Sequence, residues 1–310
     1  MTYTLFIAIL AGGIAAGSSI LLASLGEILS EKVGVLNLGL EGIMLIGAVS
    51  GFVFTIITNN SWIGILMAIV LSAVAGLIFA VLTISLHGNQ IVCGLAMVIF
   101  GTGVSTLIGN PYVGTPVPQS FDAVAIPLLS KIPVLGPVIF NQDVLTYIAL
   151  ILVFVVWYFL FRTKPGLHLR SVGESPGTAD ALGINVTLTR YIYVIIGSAL
   201  VGLGGAQLSL AFTKVWIENM AAGRGWVAVA IVVFAGWNPQ KALLGAVLFG
   251  IVQALGFRLQ VIGISFPPDF INMLPYFLPI VVLCIEAAKT HRKKAAGPEA
   301  LGVPYIRESR

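Results

Sequence analysis

The sequence predicts an all-α polytopic membrane protein with about 8–10 transmembrane helices, on three observations. Hydrophobic residues make up 58% of its 310 residues and charged ones 9%, where a soluble domain carries roughly 25% charged residues. So few charges cannot clothe a soluble protein of this size, so most of the surface faces lipid. Apolar runs recur along the chain at the length of about 20 residues that a helix needs to cross a bilayer. Between them, near the middle, lies one polar, turn-rich stretch, Thr163 to Arg190, reading TKPGLHLRSVGESPGTADALGINVTLTR.

The predicted spans follow in order. The first is Thr4 to Leu25, preceded by no basic segment and too long for a cleaved leader. Leu40 to Ile57 is the second and ends at the turn Thr58-Asn59-Asn60-Ser61. Trp62 to Leu86, Gln90 to Ile108, Val144 to Phe161 and Tyr191 to Phe212 are the third to sixth. The seventh, Trp226 to Trp237, is short and is entered from about Met220. Ala242 to Phe257 and Phe270 to Ala288 are the eighth and ninth. Gly109 to Asp143 is read as one long loop, because Pro127, Pro133 and Pro137 break any straight helix over Ala123 to Phe140.

Charge placement orients these spans. With nine crossings, the side that holds Thr163 to Arg190 and the C-terminus carries twelve of the sixteen Lys and Arg residues. The other side holds Lys131, Lys214, Arg224 and Arg258. Cytoplasmic loops carry the excess of Lys and Arg, so the polar loop and the C-terminus are expected in the cytoplasm. The chain divides into one transmembrane unit, 1–290, with its polar loop at 163–190, and a short basic tail, 291–310. The tail reads as an orientation signal and a contact for anionic headgroups.

No enzyme chemistry is visible. There is no phosphate-binding Gly-x-x-x-x-Gly-Lys-Ser/Thr loop, no His-Glu-x-x-His zinc motif and no nucleophile elbow. Cys93 and Cys284 are too few for a disulfide framework or a metal site. No catalytic residue and no metal set is therefore assigned, and any ATP-driven work needs an ATPase on another subunit.

Three stretches carry polar residues where lipid is expected. Gly26 to Gly42 holds Glu27, Glu31, Lys32, Asn37 and Glu41 among apolar residues and helix-weakening glycines. It reads as a broken helix entering the membrane, a conformation tolerated only where it lines a cavity or is buried in protein. Ionisable residues at that depth point to function; an interface with a partner and a plain surface connector are the alternatives. His87, Asn89 and Gln90 sit at the mouth of the fourth span, where Asn89 suits a helix N-cap. Glu27, Asn37, Glu41, Asn89 and Gln90 are the candidate lining of a solute path. In Lys214 to Lys241, Trp216 and Trp226 suit an external interface, and Arg224 reads more readily as a snorkelling residue than as a ligand.

LRSVGESPGTADALGI resembles the cytoplasmic coupling loop of ABC-importer permeases of the branched-chain amino acid and simple-sugar superfamily. The residues that carry it are Arg170, Gly173, Glu174, Pro176, Ala179, Ala181, Gly183 and Ile184. GEILSEKVGVLNLGLEGIMLIGA, GNQIVCGLAM and AGRGWVAVAIVVFAGWNPQKALLGAVLFG are similar to blocks of the nucleoside and simple-sugar branch, in the same order. The resemblance implies a type II importer-like permease in a bacterial inner membrane, with a coupling helix near Pro176 to Leu182 N-capped by Ser175. Arg170, Gly173, Glu174, Pro176, Asp180 and Gly183 would then serve the contact with the ATPase. It also implies a second homologous permease, an ABC ATPase that uses the ATP, and an external substrate-binding lipoprotein. This chain itself would bind no cofactor. The implied solutes are nucleosides first, then riboflavin or simple sugars. From the residues alone, an ion-coupled carrier that uses Glu27, Glu31 or Glu41 is the competing expectation.

Overall fold

The computed structural model describes residues 2–261, residue 273 and residues 297–307. The ninth predicted span, Phe270 to Ala288, lies outside them. Seven described helices are long and apolar enough to cross a membrane. They fall in α1 (Thr2–Lys32), α2 (Leu40–Thr58), α3 (Ser61–Ala80), α4 (Gln90–Gly109), α6 (Val144–Arg162), α9 (Val186–Gln207) and α11 (Pro239–Val261). The short helices are α5 (Leu135–Ile139), α7 (Lys164–Glu174), α8 (Pro176–Ala181) and α10 (Arg224–Phe234). A π turn at Val81–Ser85 extends α3, and another at Leu208–Phe212 extends α9.

Close helix approach organises the bundle. Lipid tails are as apolar as the helix faces, so association rests on packing, which small residues permit. A side chain on Gly26 would strike the Gly197 carbonyl, so α1 meets α9 backbone to backbone there. Gly42 and Gly101 do the same for α2 and α4. α9 is wrapped by α1, α2 and α3, while α11 runs antiparallel to α1 with Gly250 seated against Gly13.

One predicted boundary moves. The first span was expected to end at Leu25 with a broken helix beyond it. α1 instead runs on through Gly26 and Glu27 to Lys32, and only residues 33–39 are irregular. Glycine normally weakens a helix, but here it is the contact surface for α9, and tertiary packing overrides the propensity.

The seventh crossing is built in two pieces. α10 has 11 residues, about 16 Å of helix, roughly half a hydrocarbon core of about 30 Å. Its start lies deep in the bundle: Arg224 donates to the Ala16 carbonyl (2.7 Å) and to Ser19 Oγ (3.0 Å), midway along the Leu5–Lys32 span. The other half of the crossing is the irregular segment 213–223. Trp216 in that segment is fully buried against Phe52 and Gly109. It is not the interfacial residue its composition suggested. Arg224 likewise points inward, also stacking on Phe212 (5.1 Å), and does not snorkel.

Residues 113–143 form a cap at the end of the bundle opposite α7 and α8. It contains α5 and a two-stranded antiparallel hairpin, β1 (Ala123–Ala125) and β2 (Asn141–Asp143). It is stitched to residues 210–216 by Val117 N–H to the Lys214 carbonyl and Phe121 N–H to the Leu210 carbonyl. An exposed ion pair joins Lys214 to Asp122. The Lys214 ammonium hydrogen-bonded to Asp122 holds that carboxyl below its usual range.

Candidate functional site

Two helix starts meet inside the bundle. α2 begins at Leu40 beside Met97, well inside α4, and α10 begins at Arg224 beside the middle of α1. Buried helix starts leave backbone N–H groups that need acceptors. The sequence supplies Glu41. Its Oε1 accepts from Gly223 N–H and its Oε2 from Gly225 N–H, both at 2.7 Å. Gly223 has φ +83, and the space for a side chain on Gly225 is already filled by Glu41. Both glycines are therefore required by geometry. A carboxylate at a helix N-terminus is also favoured by the helix dipole.

The irregular loop 33–39 is held from two sides by side chains that hydropathy marks as misplaced. Glu27 Oε1 accepts from Asn37 N–H (2.9 Å), and Gln90 Oε1 accepts from Leu36 N–H (2.7 Å). Asn37 turns its own Oδ1 to Gly39 N–H (2.9 Å) and so caps the entry to α2. One turn along α1, Glu31 accepts from Trp237 Nε1. Glu27, Glu31, Asn37, Glu41 and Gln90 are all buried. α10 is thus gripped at both ends by acidic residues, Glu41 at its start and Glu31 just past its finish.

Of the five candidate path residues, four lie in this buried assembly. Asn89 does not: it is exposed and accepts from Ile91 and Val92 N–H as the N-cap of α4. Glu31 joins the assembly through Trp237, and Arg224 through α1. Trp237 was missed because a Trp beside Asn-Pro reads as an interface residue, and no local signal reports that its ring faces α1.

The six residues expected to serve coupling lie at the opposite end from the hairpin cap. α7 is N-capped by Thr163, whose Oγ1 accepts from Gly166 N–H (3.2 Å), and it buries Leu169 and Val172. Arg170 lies over the Phe161 ring at 5.3 Å. Gly173 is packed so tightly on the Lys32 carbonyl that no side chain fits, and Glu174 is exposed. Pro176 opens α8, where proline's missing N–H costs nothing. Gly183, at φ +84, closes it: Ile184 N–H reaches the Ala179 carbonyl, the glycine-terminated Schellman pattern. Asp180 Oδ2 accepts from Arg307 Nε (3.1 Å). Ser175 occupies the N-cap position, but its hydroxyl meets Thr178 Oγ1 (2.8 Å) and no backbone N–H. α8 is short, anchored by buried Ala179, and ends on Leu182, which is 78% exposed. The described tail, 297–307, lies against these same elements, and the basic run at 289–294 that suggested a headgroup contact lies outside the described residues.

Comparison with known proteins bears on the whole chain. The family described as "Branched-chain amino acid transport system / permease component" matches residues 9–283. A putative glucose ABC transporter permease protein of Haloferax volcanii is 39% identical, over 94% of this chain and 95% of its own. A nucleoside ABC transporter permease protein of Lactococcus lactis is 35% identical, over 93% of each chain. A guanosine ABC transporter permease protein of Bacillus subtilis is also 35% identical, over 94% of each chain.

Proposed function

The chain belongs to the branched-chain amino acid transport system permease family, and on that premise we propose that it translocates nucleosides as one subunit of an ATP-driven importer. It is a multi-pass membrane protein whose family role is the permease and not the ATPase. The observation that carries the solute is likeness to nucleoside and guanosine permeases over nearly the full length of each chain. A second reading, a monosaccharide, is favoured by the likeness to the putative glucose permease. The two solutes share a polyhydroxylated ring, which needs hydrogen-bonding groups, and a nucleobase adds a flat face.

In this reading α8, with exposed Leu182 at its end, enters a groove on an ABC ATPase, and the face that carries it is cytoplasmic. A second homologous permease completes the pathway, and an external binding protein delivers solute to the opposite end. ATP binds only the ATPase. ATPase closure moves α7 and α8 as a body, and the two permeases rock between inward and outward access. The discontinuous pieces, loop 33–39 and α10, are where such a bundle can change shape. Their backbone hydrogen bonds end on side chains, which can exchange partners without unwinding a continuous helix. An ion-coupled carrier is disfavoured by the likeness to ABC transporter permeases over nearly the whole chain.

Uptake tests the proposal. Cells lacking the chain are supplied with it and offered radiolabelled guanosine, riboflavin and glucose. Guanosine uptake that requires ATP and is lost without the chain is the expected result. Glucose uptake alone moves the assignment to the sugar reading. Solute movement by the purified chain in liposomes under a proton gradient overturns both.

A further inference from the structure

We propose that the C-terminal segment 297–307 is a latch that joins α8 to loop 33–39, so that movement of the coupling helix reaches the buried assembly. The proposal rests on the reading of α8 as the ATPase contact. A tail that only met lipid headgroups would leave its backbone to water. This segment instead donates Ala300 N–H to the Gly173 carbonyl (3.0 Å) and Gly302 N–H to the Gly34 carbonyl (3.3 Å). It thereby binds the end of α7 and the exit from α1 at once. Its Val303 carbonyl accepts from Nη1 of Arg190 (3.2 Å), the first turns of α9, and Arg307 pairs with Asp180 in α8. At its other end Gly297 abuts the Trp237 ring, which is hydrogen-bonded to Glu31.

The sequence suits a strap and not a helix. Pro298 and Pro304 remove backbone donors, and Gly302 sits at φ +78. Gly34, at φ +90, is equally constrained, since the Arg190 guanidinium and the Ala300 carbonyl occupy the space a side chain would need. Arg190 is buried, and the one hydrogen bond its guanidinium makes among the described residues is from Nη1 to the Val303 carbonyl. Here it fixes the strap beside Gly34. The connection then runs from Asp180 through Arg307 and Gly302 to Gly34. From there it passes along 33–39 to Asn37 and Glu27, and through Glu41 to α10. Each link is a hydrogen bond or a stretch of at most five residues of chain.

The test uses the assembled importer with the chain ended after Ala296, beside two single variants, Ala300→Pro and Arg307→Ala. Ala300→Pro removes the donor to Gly173, and Arg307→Lys serves as the conservative control for the bridge. Three quantities are read: ATPase co-purified with the permease, ATP hydrolysed, and guanosine taken up. The expected result is retained ATPase and hydrolysis with uptake reduced at least tenfold, so that more ATP is consumed per solute. Truncated chain with an unchanged ratio of uptake to hydrolysis overturns the latch. Loss of the ATPase from the complex also overturns it, because the tail would then be an assembly contact. Should the truncated chain not insert, the same ratio in Ala300→Pro and Arg307→Ala decides. Failure of the unaltered chain to hold an ATPase at all would count against the function proposed above, and not against the strap.

Discussion

Replacing Glu41 is the sharpest perturbation the structure offers, because one side chain closes the start of a helix inside the bundle. Glu41→Ala leaves Gly223 and Gly225 N–H without acceptors in a site that is 6% exposed at Glu41. Each abandoned buried donor costs about 1–3 kcal/mol, and loss of the charge at the α10 N-terminus adds up to about 2 kcal/mol in a buried setting. The sum is roughly 2–8 kcal/mol, a large part of a typical protein stability of about 5–15 kcal/mol. Glu41→Gln keeps one carbonyl acceptor but turns an NH₂ toward the second amide, so about half that loss is expected. Thermal unfolding of the purified chain in nanodiscs ranks the three proteins, wild type above Gln above Ala. Hydrogen exchange at 221–228 localises the effect, with faster exchange there than in α9. Guanosine uptake is expected to fall with stability while the ATPase remains bound, since Glu41 is remote from α8. An Ala variant as stable as wild type, with α10 still protected, would refute the capping argument and return Glu41 to a pathway-lining role alone.

Four further outcomes can be checked. Gly173→Ala places a methyl group onto the Lys32 carbonyl, an overpacking expected to cost about 1–3 kcal/mol and to show as a lower unfolding temperature with weaker ATPase retention. Glu174→Lys, on an exposed position beside α8, is expected to leave that temperature unchanged and reduce ATPase co-purification. Gly26→Val is expected to prevent the contact of α1 with α9 and to abolish accumulation of the folded chain, read as loss of a monodisperse peak in detergent. The Asp122–Lys214 pair is pH-dependent in one direction. Its carboxyl lies below the usual value of 3.8 when folded, so its contribution is present above that value and is lost as pH falls through the lowered one. Below about pH 4, amide exchange over 113–125 is expected to rise in wild type relative to Lys214→Ala, which lacks the pair at every pH.

Most of the bundle was legible because crossing a bilayer imposes a length and a composition that single residues report. Leu40, Gln90, Val144 and the Thr163 to Arg190 stretch fall where hydropathy and turn residues put them. The α8 helix was legible through the family resemblance, which put it near Pro176 to Leu182, and Pro176 and Gly183 bound it locally. What was not legible depended on a distant partner. Gly26 breaks a helix in isolation and joins two in the fold. Trp216 and Arg224 carry the composition of interface residues, yet Phe52, Phe212 and the α1 backbone bury them. The seat of residues 297–307 was not legible either, because two of its contacts are made by the Ala300 and Gly302 backbone N–H groups, which no side-chain pattern announces.

The arrangement of charge around α10 explains why the chain tolerates acidic residues at such depth. A continuous helix would satisfy its own backbone and need neither Glu41 nor a broken approach at 213–223. By starting α10 midway, the fold creates buried donors that only a side-chain acceptor can meet, and Glu41 is presented by α2, a different segment. Glu31 on α1 holds Trp237 at the other end. The half-helix is therefore fastened to α1 and α2 through side chains, not through its own ladder. Such fastenings can be released one hydrogen bond at a time, whereas a helical ladder breaks only with loss of several. Loop 33–39 is fastened in the same way through Glu27 and Gln90, and it links α1 to α2. The two discontinuous elements are consequently coupled through shared helices, and a displacement delivered at Gly34 cannot reach one without loading the other.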